Sequence, residues 1–220
     1  MIVQCGMPRS GSTLLYLMLR HAVSNFKFFD REMQATKALT RENVVTKRPM
    51  DIFAWKPVYE KIGTKFLINI RDPRSVLTSV HANSEGKWKV DWEYSLKTSQ
   101  NGVCGKTNGL KDYWNIIYKV PNSMFVYYED LIDRPNEVQE RLKEFCGFEY
   151  KGKFSEFYKT TPPPLLTHQL NGLRPPDPET KYKWKKCPER IKNLIKKHPE
   201  ILDMLIDLGY EKDKQWIRNL

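Results

Sequence analysis

Cys5-Gly6-Met7-Pro8-Arg9-Ser10-Gly11-Ser12-Thr13 has the outline of a phosphate-binding loop. In the pattern G-x-x-x-x-G-K-[ST], glycines let the backbone close on an anion, a lysine reaches the outer phosphates and a hydroxyl meets the metal. Gly6, Gly11 and Thr13 keep that spacing, but Ser12 stands where the lysine belongs. The preceding Ile2-Val3-Gln4-Cys5 is a short β-type run, and from Ser12 to Val23 the residues Leu14, Leu15, Leu17 and Met18 recur at helical spacing. A glycine-rich turn without a ligand would show the same letters. Set between a strand and a helix, however, the N–H groups of Ser10, Gly11, Ser12 and Thr13 point outward at a helix N-terminus, where anions are stabilised. Arg9 places a fixed positive charge beside them.

Working outward, Asn43 to Lys47 reads as a second strand stopped by Pro49, and Thr64 to Ile70 as a third stopped by Asp72-Pro73. Pro73 suits a first helical position and Asp72 a cap, predicting a helix to about Ala82. Ser123 to Tyr128 reads as a fourth strand, and Asn136 to Phe145 as an amphipathic helix ended by Gly147. In the aromatic middle, Asp91 to Thr98 and Leu110 to Lys119 read as helices joined by the glycine-bearing QNGVCGKTNG. Pro162 to Pro178 is proline-rich and irregular, and Pro188 to Leu208 returns to helix. The alternation predicts a single α/β domain over 1–220, with a central parallel sheet of four to five strands flanked by helices, as in P-loop nucleotide-binding folds. Residues 1–150 form its nucleotide-binding core, and 151–220 a C-terminal segment that closes over the nucleotide and then continues in helices.

The 220 residues, 40% of them hydrophobic, suffice for one buried core. A formal net charge of +11 favours an anionic partner: nucleic acid, an acidic membrane surface or a multiply charged small molecule. Cys5, Cys104, Cys146 and Cys187 lie far apart without C-x-x-C spacing, which indicates neither a zinc site nor a disulfide framework and points to a reducing, cytoplasmic setting. No apolar run approaches the roughly 20 residues that span a bilayer, and the N-terminus lacks the pattern of a signal peptide.

A nucleoside triphosphate enzyme would want the missing lysine and an acid at a strand end to hold magnesium. Asp72 and Asp130 stand at such ends, and each reads equally as a structural residue, Asp72 above all as a helix cap.

Pro8-Arg9-Ser10-Gly11-Ser12-Thr13-Leu14-Leu15 resembles the 5′-phosphosulfate loop of sulfotransferases that use 3′-phosphoadenosine 5′-phosphosulfate (PAPS), usually written P-K-S-G-T-T-x-L, with Arg9 in place of the lysine. Ile70-Arg71-Asp72-Pro73-Arg74-Ser75-Val76-Leu77-Thr78-Ser79 resembles the same family's 3′-phosphate motif, in which an arginine and a serine eight residues later, here Arg71 and Ser79, grip that phosphate. Tyr128-Glu129-Asp130-Leu131, followed by Pro135, looks like the family's Y-E-D-L-x-x-x-P segment, whose tyrosine lies near adenine. Leu173-Arg174-Pro175 and Lys183-Trp184-Lys185 resemble the segment that closes over the nucleotide, with Arg174 a second phosphate ligand. Where soluble eukaryotic members often carry a tryptophan against adenine, this chain has Leu14.

The resemblance implies PAPS as donor, 3′-phosphoadenosine 5′-phosphate (PAP) as product and no metal. It also implies a small-molecule, carbohydrate or peptide acceptor bearing a hydroxyl or amine. In the family a histidine or lysine two residues before a proline ends the second strand, and Lys47 holds that place in Thr46-Lys47-Arg48-Pro49. Glu32 resembles the glutamate base of the tyrosylprotein branch in its position after the first helix. His81 and His21 read as packing or surface residues. Two further readings stand beside this one: a divergent nucleotide kinase or NTPase, and a basic nucleic-acid-binding protein, for which no recognition motif is present.

Overall fold

A computed structural model of the chain describes residues 1–62, 64–159 and 173–219. In chain order, β1 (Ile2–Gly6), α1 (Ser12–Ala22), β2 (Lys27–Phe28), β3 (Val44–Lys47), α2 (Trp55–Ile62), β4 (Lys65–Ile70) and α3 (Pro73–Leu77) come first. They are followed by β5 (Tyr94–Ser99), β6 (Gly102–Asn108), α4 (Leu110–Ile117), β7 (Ser123–Tyr127), α5 (Tyr128–Asp133), α6 (Pro135–Cys146), α7 (Pro188–Lys197) and α8 (Glu200–Asp207). Short 3-10 turns include Ala35–Lys37, Pro49–Ala54, Phe154–Lys159 and Pro178–Lys186. The part of the proline-rich stretch at 162–172 lies outside the described residues.

The chain divides into two compact units, of which the first comprises Met1–Ile70 and Ile116–Pro178. It holds a five-stranded sheet in the order β2-β3-β1-β4-β7, with every neighbouring pair parallel. The expected α/β class and parallel sheet are therefore present. Ile2, Val3 and Cys5 of β1 and Phe66, Leu67, Ile68 and Ile70 of β4 are all buried, the near-continuous apolar run of strands covered on both faces. Leu14 to Leu19 of α1 are buried without interruption, because the helix lies in one core cluster with Leu131, Val138, Leu142, Phe154 and Phe157. Full burial of each leucine there contributes about 1.5–3 kcal/mol over exposure.

The chain runs from β1 to β2 and β3 on one side and then crosses to β4 on the other, so the loop after β1 lies at the switch point where ligands bind in such sheets. The fifth strand, β2, is two residues long, too short to register as a periodic pattern.

The second unit comprises Arg71–Asn115 and Glu179–Leu220, and three expectations are corrected in it. The segment expected as helix from Asp91 to Thr98 instead supplies β5, paired antiparallel with β6 from the expected linker. Gln100-Asn101 forms the turn, closed by the Ser99–Gly102 pair with Gly102 at φ 104; a short glycine-bearing turn between two β-prone runs outweighs weak helical spacing. α3 ends at Leu77 rather than near Ala82. Thr78 donates both its N–H, at 3.1 Å, and its hydroxyl, at 2.8 Å, to the Arg74 carbonyl, and Val80 then forms an antiparallel bridge to Trp88. The C-terminal helix is broken at His198-Pro199 into α7 and α8, since proline cannot donate to the preceding turn.

Candidate active site

The first unit builds the loop from β1. Gly6 sits at φ 118, and a Cβ there would lie 2.6 Å from the Asn69 carbonyl oxygen of β4, so only glycine lets the two strands run this close as the loop departs. Met7 donates its N–H to that same carbonyl at 3.1 Å, and buried Gln4 donates to the Ser12 carbonyl at 2.6 Å and to the Asn69 side-chain oxygen at 2.9 Å. Ser10 turns its hydroxyl inward to the Met7 carbonyl at 2.5 Å. Arg9, half-buried, holds φ 61 in the left-handed region, which shapes the turn before Gly11. α1 then begins with no side-chain cap and no acidic residue in its first turn. Its positive end is left facing whatever anion the loop receives.

Tyr128 packs directly on this loop: a Cβ added to Gly11, at φ 79, would fall 2.3 Å from its ring. The tyrosine expected near adenine thus has its ring edge on the glycine of the phosphate loop.

Lys47 ends β3 beside β1 and is 1% exposed. Its ammonium donates to the Thr13 hydroxyl at 2.9 Å and to Glu32 at 2.7 Å. The two candidates for acceptor activation, far apart in sequence, form one ion pair that reaches the phosphate loop. Glu32 is 41% exposed, so the pair has a sealed inner end at the loop and an accessible outer end. Just past β3, Asp51 is 2% exposed; it accepts from the Ala35 N–H at 2.7 Å and stands 3.6 Å from Arg48. Burial pushes the Asp51 carboxyl up to about 6, against the opposing pull of the Ala35 N–H and Arg48.

In the second unit, Arg71 donates to the Thr180 carbonyl at 2.6 Å, and Ser75 donates to the Lys181 carbonyl at 3.0 Å. The Pro178–Lys186 turn is thereby tied at Thr180 and Lys181 to the 3′-phosphate motif, two segments over 100 residues apart in sequence. Arg74, which sequence reasoning passed over, completes the tie. It bonds Asp72 through Nε and Nη2, donates to Glu211, and lies between two indoles, 4.2 Å from Trp184 and 4.7 Å from Trp216. Burial works against its charge, but Asp72 and Glu211 outweigh that and raise its pKa. Trp184 accordingly spends a face on Arg74. Ser79 lies beyond α3, its carbonyl accepting from the Lys89 N–H at 2.8 Å.

Asp72 caps α3, accepting from the Arg74 N–H at 2.8 Å, and Asp130 pairs with Arg134 and Arg141. Both acids thus take the structural alternative. His81 accepts from the Asn83 N–H at 3.0 Å, a turn contact that no helix-based expectation foresaw. Arg174 is exposed, just after Leu173, which packs on the core of the first unit. Among the described residues no group of three or more His, Cys, Asp or Glu is placed to hold a metal, and no helix is long and apolar enough to cross a membrane.

A family model described as the sulfotransferase domain matches residues 1–161. Among solved structures, the chain is similar to the sulfotransferase domain from the curacin biosynthetic pathway: 15% identity, TM-score 0.57, covering 89% of this chain and 96% of that one. It is also similar to the sulfotransferase domain from the Synechococcus PCC 7002 olefin synthase, at 14% identity and TM-score 0.52, covering 84% and 86%. At these identities the likeness is one of fold. No curated protein matches the chain.

Proposed function

The chain belongs to the sulfotransferase domain family, and we propose that it transfers a sulfuryl group from PAPS to a hydroxyl or amine of its acceptor without a metal ion. The observation that carries this reading is the Lys47 ammonium bonded at once to Thr13 of the phosphate loop and to Glu32. The loop fits the donor's anionic 5′ end: it offers an uncapped helix N-terminus, a backbone that only glycine permits at Gly6, and a buried cation at Lys47. PAPS supplies an activated sulfuryl group, whose bond to the 5′-phosphate oxygen breaks as the acceptor oxygen or nitrogen bonds to sulfur. Less charge develops on that group than on a transferring phosphoryl, so backbone N–H donors, Lys47 and Arg9 suffice to stabilise the transition state. Glu32, at the accessible end of the ion pair, takes the acceptor's proton, and Lys47 donates to the oxygen that leaves.

Arg71 and Ser79, with Arg174, are assigned to the 3′-phosphate by motif. A charge-assisted bond from Arg71 would contribute about 1.5–3 kcal/mol. The test is calorimetry of PAP against adenosine 5′-phosphate, in the wild type and in Arg71→Ala, with sulfuryl transfer assayed with and without EDTA. A strong preference for PAP that Arg71→Ala erases, with transfer surviving EDTA, is expected. Equal affinity for the two nucleotides would overturn the donor assignment, and activity lost to EDTA and restored by magnesium would favour a kinase or NTPase.

A further inference from the structure

Glu32 lies in a stretch without regular structure, between β2 and the Ala35–Lys37 turn, so its place beside Lys47 has to be set by what holds the ends of that stretch. One end is held at Phe29. The buried Tyr16 hydroxyl of α1 accepts from the Phe29 N–H at 2.7 Å and donates to its carbonyl at 3.0 Å, and Arg20 reaches the same carbonyl at 3.2 Å. The other end is Ala35, whose N–H goes to Asp51. Asp51 is four residues past Lys47, in the Pro49–Ala54 turn that follows β3, and its own N–H is bonded to the Arg48 carbonyl at 3.0 Å. The backbone that places Lys47 therefore also places the carboxylate that fixes the Glu32 stretch.

We propose that Asp51 is a positioning residue that anchors this stretch at Ala35 and so holds Glu32 in register with Lys47. The inference rests on the reading of Glu32 and Lys47 given above. A glutamate on an unanchored span would sample positions away from Lys47, and a base displaced by about 1 Å can lose on the order of 100-fold in rate.

The test compares Asp51→Ala, Asp51→Asn and Glu32→Gln by kcat, PAP affinity and amide hydrogen exchange over residues 30–35. Asp51→Ala should lower kcat by about 10- to 100-fold, leave PAP affinity within a few-fold, and speed exchange in 30–35. Asp51→Asn keeps an oxygen for the Ala35 N–H and should restore both kcat and slow exchange to near wild-type values. Wild-type exchange and kcat in Asp51→Ala would overturn the proposal. So would an Asp51→Asn variant as impaired as Asp51→Ala, and Asp51→Asn keeps the comparison decisive if the alanine variant fails to fold. Fast exchange in Asp51→Ala together with full activity of Glu32→Gln would sink the base assignment instead, leaving the anchor standing.

Discussion

Replacing Gly11 by alanine tests the geometry of the loop in a single atom. At φ 79 an L-residue carries a left-handed penalty of about 1–2 kcal/mol. The added Cβ would also lie 2.3 Å from the Tyr128 ring, 1.1 Å short of the 3.4 Å at which ordinary contact begins. Tyr128 is buried and cannot swing clear, so the overlap should cost a further 1–3 kcal/mol or so, as other overpacked sites do. The two effects together predict a loss of about 2–5 kcal/mol, which for a chain of this length lowers Tm by about 4–20 °C. The assay is thermal unfolding of Gly11→Ala in the wild type and in a Tyr128→Val background. With the ring gone only the backbone penalty remains, giving a coupling energy of about 1–3 kcal/mol between the two sites. PAP should bind more weakly to Gly11→Ala than to the wild type and recover in part in the double variant. An equal fall in Tm in both backgrounds would refute the close packing of Tyr128 on the loop.

Lys47→Met keeps the buried stem and removes the ammonium; kcat should fall by about 10- to 150-fold, the equivalent of one charge-assisted bond of about 1.5–3 kcal/mol, while PAP affinity falls only a few-fold. An unchanged kcat at saturating substrate would remove Lys47 from the chemistry. Asp51 has a folded pKa of about 6 against an ordinary 3.8, so the folded state holds its proton more tightly than the unfolded chain does. That contribution to stability is full below about pH 4 and is lost as pH rises through 6. Asp51→Asn should therefore flatten the wild type's decline between pH 4 and 6 and raise stability at pH 7 by up to about 3 kcal/mol; parallel pH profiles of Tm for the two proteins would contradict it.

The sequence carried most of the first unit because its signals there are local. A strand, two glycines five residues apart and a leucine-rich helix depend on neighbours within a few positions, and β1, the loop and α1 stand where those signals put them. The aromatic middle failed for the opposite reason. Trp92, Tyr94 and Trp114 read as helix or core by their size, but Tyr94 lies in a two-stranded ribbon, where pairing with Asn108 overrides helical spacing. The site shows the same division. Lys47 and Glu32 could each be picked out by position, yet nothing in sequence read across a separation of 15 positions says that they touch. Asp51 and Arg74 carried no signal at all, since a carboxylate in a proline turn and an arginine beside an aspartate are ordinary surface letters until burial gives them partners.

That ion pair leads to a result that motif reading would not anticipate. A buried ammonium needs a counter-charge at all times, and before an anion enters the loop Glu32 supplies it at 2.7 Å. The donor's anionic end should compete with Glu32 for the same nitrogen, so binding exchanges one partner of Lys47 for another and releases the carboxylate toward the acceptor. Glu32→Gln removes the competitor while keeping the shape. Its side chain is 41% exposed, which limits the pair's strength to about 0.5–1 kcal/mol, and PAP should accordingly bind about two- to fivefold more tightly to the variant. In the same protein kcat should drop by about 10²–10⁴-fold with the loss of the base, and the acidic limb of its pH profile should vanish. Tighter binding with slower turnover is the signature of a residue that opposes the ground state and serves the transition state. Calorimetry showing PAP bound to Glu32→Gln no more tightly than to the wild type would mean that Lys47 keeps its partner when the donor binds, and that the exchange does not occur.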